Sequence, residues 1–495
     1  MKRAGAALAL AALLCANRAP PLAHTAGGTV RGEALGPGAA FRGIPFGTAV
    51  RWRDAAPAPP WKGQRDATAF GPACPQRSEP RRPPLVQSED CLNLNVITPN
   101  RHARNLPVLV LIHGGAYAFG SNRYGADQGL SALVRRGVVL VTPNYRVGRF
   151  GFLAHPALTA EAGRGTGNFW LSDQILALRW VKANIARFGG DPARVTIMGC
   201  SAGGSSANAL MTSPAAHGLF ARAAVHSGGG LFNANRPLAL AEEQGRAFAL
   251  RAGVGGTDRQ ALSALRRLSV QQVLAADPGP PDYGAIIDGH YLPQPIANAY
   301  AKGQQASVPL IMGSTSNEAS VFGLMGFDAV AMKARFGIDL DAVRPIYQAN
   351  AALTDAELLR QVQTDFLFTS AALALSGFAS ARAPAWTYHF DHVPAALVAK
   401  VPGAQHCADM PYLISQVRRD DPASQSLAEA MQGYWYNFIS HGDPNGAGLP
   451  VWPQTQHQNG PVLLVNSGFV PVSGFRDAQL QHWWAKWKST QSLRE

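Results

Sequence analysis

The stretch RVTIMGCSAGGSSANALM, Arg194 to Met211, decides the fold. Arg194 to Met198 is an apolar, β-branched run of strand type, and Ser205 to Met211 is helix-like. Between them lies Gly199-Cys200-Ser201-Ala202-Gly203, a Gly-x-Ser-x-Gly pattern. A tight strand-to-helix turn needs glycines because bulkier residues collide there. Such a turn lifts the serine hydroxyl to the mouth of a sheet, above a helix N-terminus. The alternative is a glycine turn with an incidental serine, and the flanking strand and helix argue against it. Ser201 is thus the candidate nucleophile. Serine reacts slowly by itself near neutral pH, so a base must take its proton.

Working outward, PVLVLIHGG from Pro107 and GVVLVTPNYR from Gly137 read as further strands, with longer helix-like segments between the apolar runs. Continuous apolar strands separated by helices predict a parallel sheet covered on both faces, an α/β architecture. From Ser172 to Phe188, the residues Ile175, Leu178, Val181, Ile185 and Phe188 recur at three- and four-residue steps. That spacing predicts a helix with one face on the sheet, closed by Gly189-Gly190. Residues 231–305 and 325–380 read as helical insertions over the sheet's edge. PAPPW, Pro57 to Trp61, and Pro80 to Pro84 read as surface loops.

HGGAY, His113 to Tyr117, directly follows the strand PVLVLI. Small residues there let backbone N–H groups approach a tetrahedral oxygen, so this is the candidate oxyanion segment. The order nucleophile, acid, histidine expected of an α/β-hydrolase places the acid between Ser201 and a later histidine. Several carboxylates qualify, among them Asp288, Glu318, Asp365 and Asp391. Glu318 is favoured because it follows the apolar run PLIMG in a polar turn. His389 and Asp409 compete with His406 and Glu318 for attention. The aspartate is expected to shape the loop that carries the histidine.

Length is 495 residues, with 47% hydrophobic and 15% charged residues, which describes a chain able to bury a large core. The net charge of +13 is spread out, with no basic run or aromatic-interleaved patch, which argues against nucleic-acid binding. Lys2 and Arg3 followed by an apolar run from Ala4 to Ala16 read as a secretory signal peptide over about residues 1–23. Cys15 follows Leu14, unlike a lipoprotein cleavage site. The rest, 24–495, reads as one domain without a membrane span, and the expected location is secreted or periplasmic. Cys74, Cys91, Cys200 and Cys407 then remain, and four cysteines allow three pairings.

The chain resembles the type-B carboxylesterase/lipase family, which includes carboxylesterases, cholinesterases and bacterial nitrobenzyl esterases. The resemblance rests on FRGIPF at Phe41, SEDCLNLNV at Ser88, HGGAYAFG at His113, NYRVGRFGFL at Asn144, the segment from Gly167 to Gly199, IDGHYLP at Ile287, GSTSNEAS at Gly313, GAQHCADMPYL at Gly403 and HGDPN at His441. It implies a single α/β-hydrolase domain with no metal and no organic cofactor. It also implies Ser201 as nucleophile, Glu318 as acid, His406 as base, and Gly115, Ala116 and Ala202 as oxyanion amides. Ala116 stands where many relatives carry a third glycine, and Cys200 where relatives usually carry glutamate.

The resemblance further implies a Cys74–Cys91 bridge. In cholinesterases the enclosed loop carries aromatic and acidic groups; here it has no aromatic and contains Arg81-Arg82, which makes a choline ester a poor substrate. Cys200 and Cys407 each adjoin a candidate catalytic residue. If Ser201 and His406 come within hydrogen-bond reach, the neighbouring α-carbons fall in the span a disulfide needs, which predicts a Cys200–Cys407 bridge. Tannases and microbial feruloyl esterases are similar in this respect; two free thiols are the alternative. The expected activity is hydrolysis of small or medium carboxylic esters. Aromatic esters, lipids and a non-catalytic adhesion role are the competing readings. Oligomeric state is not legible.

Overall fold

The computed structural model describes residues 19–77, 84–127, 129–232, 236–279, 283–325, 327–348, 352–414 and 421–492. Residues 1–18 of the expected leader, Cys15 among them, lie outside that range, as do Arg81 and Arg82. Leu22–Thr25 is a strand paired antiparallel with Gly28–Arg31, so the expected leader boundary at residue 23 falls inside a strand.

Eleven strands make the main sheet: β1 (Glu33–Leu35), β2 (Gly38–Pro45), β3 (Asn93–Thr98), β4 (Leu106–Ile112), β5 (Val139–Pro143), β6 (Gly190–Cys200), β7 (Arg222–His226), β8 (Leu310–Thr315), β9 (Ala385–Phe390), β10 (Val462–Val465) and β11 (Phe469–Val472). Their spatial order is β11-β10-β9-β8-β7-β6-β4-β5-β3-β2-β1. From β5 to β10 every neighbouring pair is parallel, while β1, β2, β3 and β11 join antiparallel at the two edges. This is the α/β-hydrolase fold.

Strand residues alternate between two cores because successive side chains leave a strand on opposite faces. Val108, Val110 and Ile112 of β4, with Val195 and Ile197 of β6, enter one core. Leu109, Leu111, Met198 and Cys200 enter the other. The first core is covered by α1 (Phe169–Asn184), α2 (Ala202–Thr212) and α3 (Ser370–Ala379). Helix α4 (Pro422–His441) covers the second through Leu427, Met431, Trp435 and Phe438.

Helix α1 starts three residues before the expected Ser172, and its last expected turn, Ile185–Phe188, tightens to a 3₁₀ turn that Gly189 closes at φ 87°. All five residues of the expected face are buried, but so are Phe169, Trp170 and Leu171. The helix lies between the sheet and the N-terminal segment, so apolar residues extend around it. The expectation of edge insertions also needs correcting at one end. Helices over 238–276 and 329–364 do carry separate apolar clusters, whereas α3 lies on the sheet between β8 and β9. Parallel neighbours need a crossover, and α3 belongs to it. Among the described residues, no helix is long and apolar enough to cross a membrane.

The glycines of the central turn are dictated by contact distances. A Cβ on Gly199 would sit 2.5 Å from the Gly203 carbonyl carbon, and one on Gly203 would sit 2.2 Å from the Ile112 carbonyl oxygen. Backbone cannot yield there as a side chain would. Gly203→Ala is therefore expected to cost about 3 kcal/mol or more in chemical denaturation. Gly255→Ala, where a Cβ meets nothing within 4 Å, serves as the neutral comparison.

Candidate active site

Strand β6 ends at Cys200 and α2 begins at Ala202, which leaves Ser201 alone in the turn with φ 58° and ψ −126°. Its N–H donates to the His226 carbonyl on neighbouring β7 at 3.0 Å. The left-handed backbone of a non-glycine residue costs roughly 1–2 kcal/mol and is held by this bond and by the packing of the flanking glycines.

The turn after β4 lies against this serine. A Cβ on Gly114 would be 2.7 Å from the Cys200 carbonyl oxygen and 3.3 Å from Ser201 Cβ. Gly115, Ala116 and Tyr117 all have positive φ, at 113°, 52° and 59°. Ala116 thus holds a conformation that glycine adopts more readily. The amides of Gly115, Ala116 and Ala202 donate to no protein acceptor among the described residues. His113 underpins the turn: it is buried and stacks on Tyr145 at 4.3 Å, and the Tyr145 hydroxyl donates to its carbonyl at 2.8 Å.

Glu318 sits in the turn after β8 and is fully buried. Its Oε1 accepts from Ser227 Oγ and from the Thr315 N–H, both at 2.7 Å, and its Oε2 is hydrogen-bonded to His406 Nδ1. The His406 loop is docked on that turn: the Asn317 N–H donates to the Ala404 carbonyl at 2.8 Å and the His406 N–H to Ser320 Oγ at 2.9 Å. A single π-helical turn, Asp365–Thr369, precedes α3 and sets the Phe368 ring 5.0 Å from the His406 ring. His406 Nε2 is buried and has no hydrogen-bond partner among the described residues, and no Ser201–His406 bond is formed. Such bonds are often long in ligand-free enzymes.

Cys200 and Cys407 form a disulfide with α-carbons 6.0 Å apart, and Cys74 and Cys91 form a second. The bridge joins the residue before Ser201 to the residue after His406. The sulfurs of Cys200 and Cys407 and a His406 ring nitrogen lie within 4.8 Å of one another. Both sulfurs are spent in the disulfide, so neither offers a thiolate to a metal.

The competing carboxylates lie elsewhere. Asp288 binds Asn168, Asp365 binds Arg476 and Tyr347, and Asp391 is exposed just past β9. His389 is bonded to Ser314, and burial, with Arg476 nearby, pushes its pKa down to about 3. Asp409 is buried under the site and bonded to His226 and Tyr388. Reading by motif missed Ser227, Ser320, Phe368 and His226. The polar pair His226-Ser227 at the end of the apolar run ARAAV was the available signal for two of them.

The carboxylesterase family model matches residues 19–351 and 341–483. The chain belongs to the carboxylesterase family. Fumonisin B1 esterase of Sphingopyxis macrogoltabida is 33% identical over 478 residues, covering 90% of this chain and 86% of that protein. Para-nitrobenzyl esterase of Bacillus subtilis is 33% identical over 470 residues, covering 86% and 91%. Among solved structures, a PNB esterase matches with TM-score 0.81 at 28% identity, over 94% of this chain and 99% of the other. A Geobacillus stearothermophilus carboxylesterase matches with TM-score 0.80 at 30% identity, over 93% and 100%. This carboxylesterase is thus an ester-hydrolysing enzyme of α/β-hydrolase fold.

Proposed function

We propose that the enzyme hydrolyses small or medium carboxylic esters through an acyl-enzyme on Ser201. One observation carries the reading: His406 gives Nδ1 to a buried carboxylate and keeps Nε2 without a partner among the described residues, on a loop tethered beside Ser201. His406 takes the Ser201 proton as Oγ attacks the ester carbonyl. Glu318 orients the ring and balances the imidazolium that forms. The amides of Gly115, Ala116 and Ala202 receive the oxyanion; one such donor is typically worth about 3 kcal/mol in the transition state. His406 then gives its proton to the departing alcohol, and water repeats the sequence to release the acid.

The names of two relatives, a fumonisin B1 esterase and a para-nitrobenzyl esterase, place nitrobenzyl esters among the substrates to try. A second reading, preference for aromatic esters, is favoured by the Phe368 ring beside His406 and by the likeness of the Cys200–Cys407 bridge to tannases and feruloyl esterases. Two disulfides support a secreted or periplasmic location. Purified enzyme is expected to turn over short-chain nitrophenyl esters faster than long-chain emulsions by at least about tenfold in kcat/KM. Faster hydrolysis of emulsions identifies a lipase instead, and faster hydrolysis of hydroxycinnamoyl esters establishes the aromatic reading. No turnover of any of the three overturns the proposal.

A further inference from the structure

Beneath Ser201 lies a group of buried polar side chains that the acyl-transfer steps do not use. His226, Tyr388 and Asp409 are buried at the end of β7, within β9 and in the His406 loop, and Trp435 of α4 closes over them. The Trp435 Nε1–H donates to His226 Nε2 at 3.2 Å. That nitrogen must offer a lone pair, so the ring proton sits on Nδ1, which faces both Asp409 Oδ2 and the Tyr388 hydroxyl oxygen, each at 2.6 Å. Tyr388 donates to that carboxylate oxygen at 2.5 Å, while Asp409 Oδ1 has no partner among the described residues. Burial pushes the Asp409 carboxyl up, but the His226 ring and the Tyr388 hydroxyl more than offset it and hold it below the usual carboxylate range.

The backbone gives this arrangement its reach. His226 stands opposite Cys200 in the parallel register of β6 and β7, and its carbonyl accepts the Ser201 N–H. Asp409 is two residues past Cys407 and three past His406. One residue therefore grips the nucleophile's turn through its carbonyl and the base's loop through its ring. The next residue, Ser227, holds Glu318. The strand ends at His226, and the turn at Ser227, with φ 47°, brings its hydroxyl to the other carboxylate.

We propose that His226 is a positioning residue that, through Asp409, sets the spacing between the Ser201 turn and the His406 loop, in parallel with the Cys200–Cys407 bridge. The inference rests on the proposed roles of Ser201 and His406. Two ties of different kind span the same gap. The disulfide joins residues adjacent to the reacting pair, and the buried hydrogen bond braces the loop one turn further on. Removing the brace lets the loop shift on its covalent tether, and a displacement of about 1 Å at a reacting pair costs on the order of 10²-fold in rate.

The test uses the full chain with its bridges intact and counts sites by the nitrophenol burst from a nitrophenyl phosphonate. His226→Leu and Asp409→Asn are expected to lower kcat per titrated site by at least about tenfold, with KM within about twofold. His226→Gln, whose amide can donate to Asp409 and accept from Trp435, is expected to recover most of that loss. Reduction of the Cys200–Cys407 bridge should enlarge the effect of Asp409→Asn. Wild-type kcat per titrated site in His226→Leu, or equal impairment in His226→Leu and His226→Gln, overturns the inference, because a purely structural role removes sites without slowing those that remain. Should Asp409→Asn fail to accumulate as folded protein, the His226 pair decides alone. His406→Gln separates the two readings: unchanged turnover there defeats the assignment of the base, whereas its loss alongside normal His226 variants defeats only this proposal.

Discussion

Ser201→Ala is expected to lower kcat on a nitrophenyl ester by on the order of 10⁴-fold or more, with the fold unchanged by circular dichroism. The size follows from losing the proposed nucleophile, next to which the Cys200–Cys407 bridge ties the His406 loop, whose Nε2 has no partner among the described residues. What survives is binding and oxyanion stabilisation acting on water. Stability should stay within about 0.5 kcal/mol, because Ser201 is only half-buried and alanine keeps the Cβ. Ser201→Gly should remove the same activity and gain about 1 kcal/mol, since it relieves the left-handed backbone at φ 58°. Turnover at the wild-type rate in either variant would reject Ser201.

Converting Cys200 and Cys407 together to serine is expected to cost about tenfold to a hundredfold in kcat, more than in KM, and to lower stability. The cysteines are 207 residues apart, so the chain-entropy estimate for this closure reaches about 5 kcal/mol, against about 3 for Cys74–Cys91, which are 17 apart. The kinetic effect separates the two bridges. Loss of Cys74–Cys91 should cost stability without slowing the titrated sites, because that bridge adjoins none of Ser201, Glu318 or His406. Loss of Cys200–Cys407 should slow every site, because it holds the residues on either side of the reacting pair. The hydrogen bonds that His406 makes to Glu318 and Ser320 keep the loss partial. Unchanged kcat in the double variant, with mass spectrometry confirming both substitutions, would show that the bridge serves stability alone.

Much of the fold was legible because its causes are local. The strand β4, the turn at Ser201 and the helix α1 follow from apolar runs, from contacts a few residues apart and from a three- to four-residue period. Where the reading slipped, a distant surface intervened. The first turn of α1 is buried because Phe169 packs against Trp52, Phe150, Leu153 and Phe248, and α3 proves to be a sheet-covering crossover because β8 and β9 are parallel neighbours.

The candidate site divides along the same line. Ser201 and the His113–Tyr117 turn could be picked out by themselves, since each is a turn whose sterics demand small residues. For the acid, the interval held Asp288, Glu318, Asp365 and Asp391; the polar turn after PLIMG and the family resemblance favoured Glu318, and its contact with His406 depends on the packing of the His406 loop on the turn after β8. The sequence by itself determined the α/β class, the Gly-x-Ser-x-Gly turn and which residues could react. Only the tertiary structure decided which carboxylate meets His406, that Cys200 bonds Cys407, and that His226 binds Asp409. The physical reason is one of range: steric and hydrogen-bond rules within a turn act over a few residues, whereas these partners stand 88, 207 and 183 positions apart and are joined by the order of strands in the sheet.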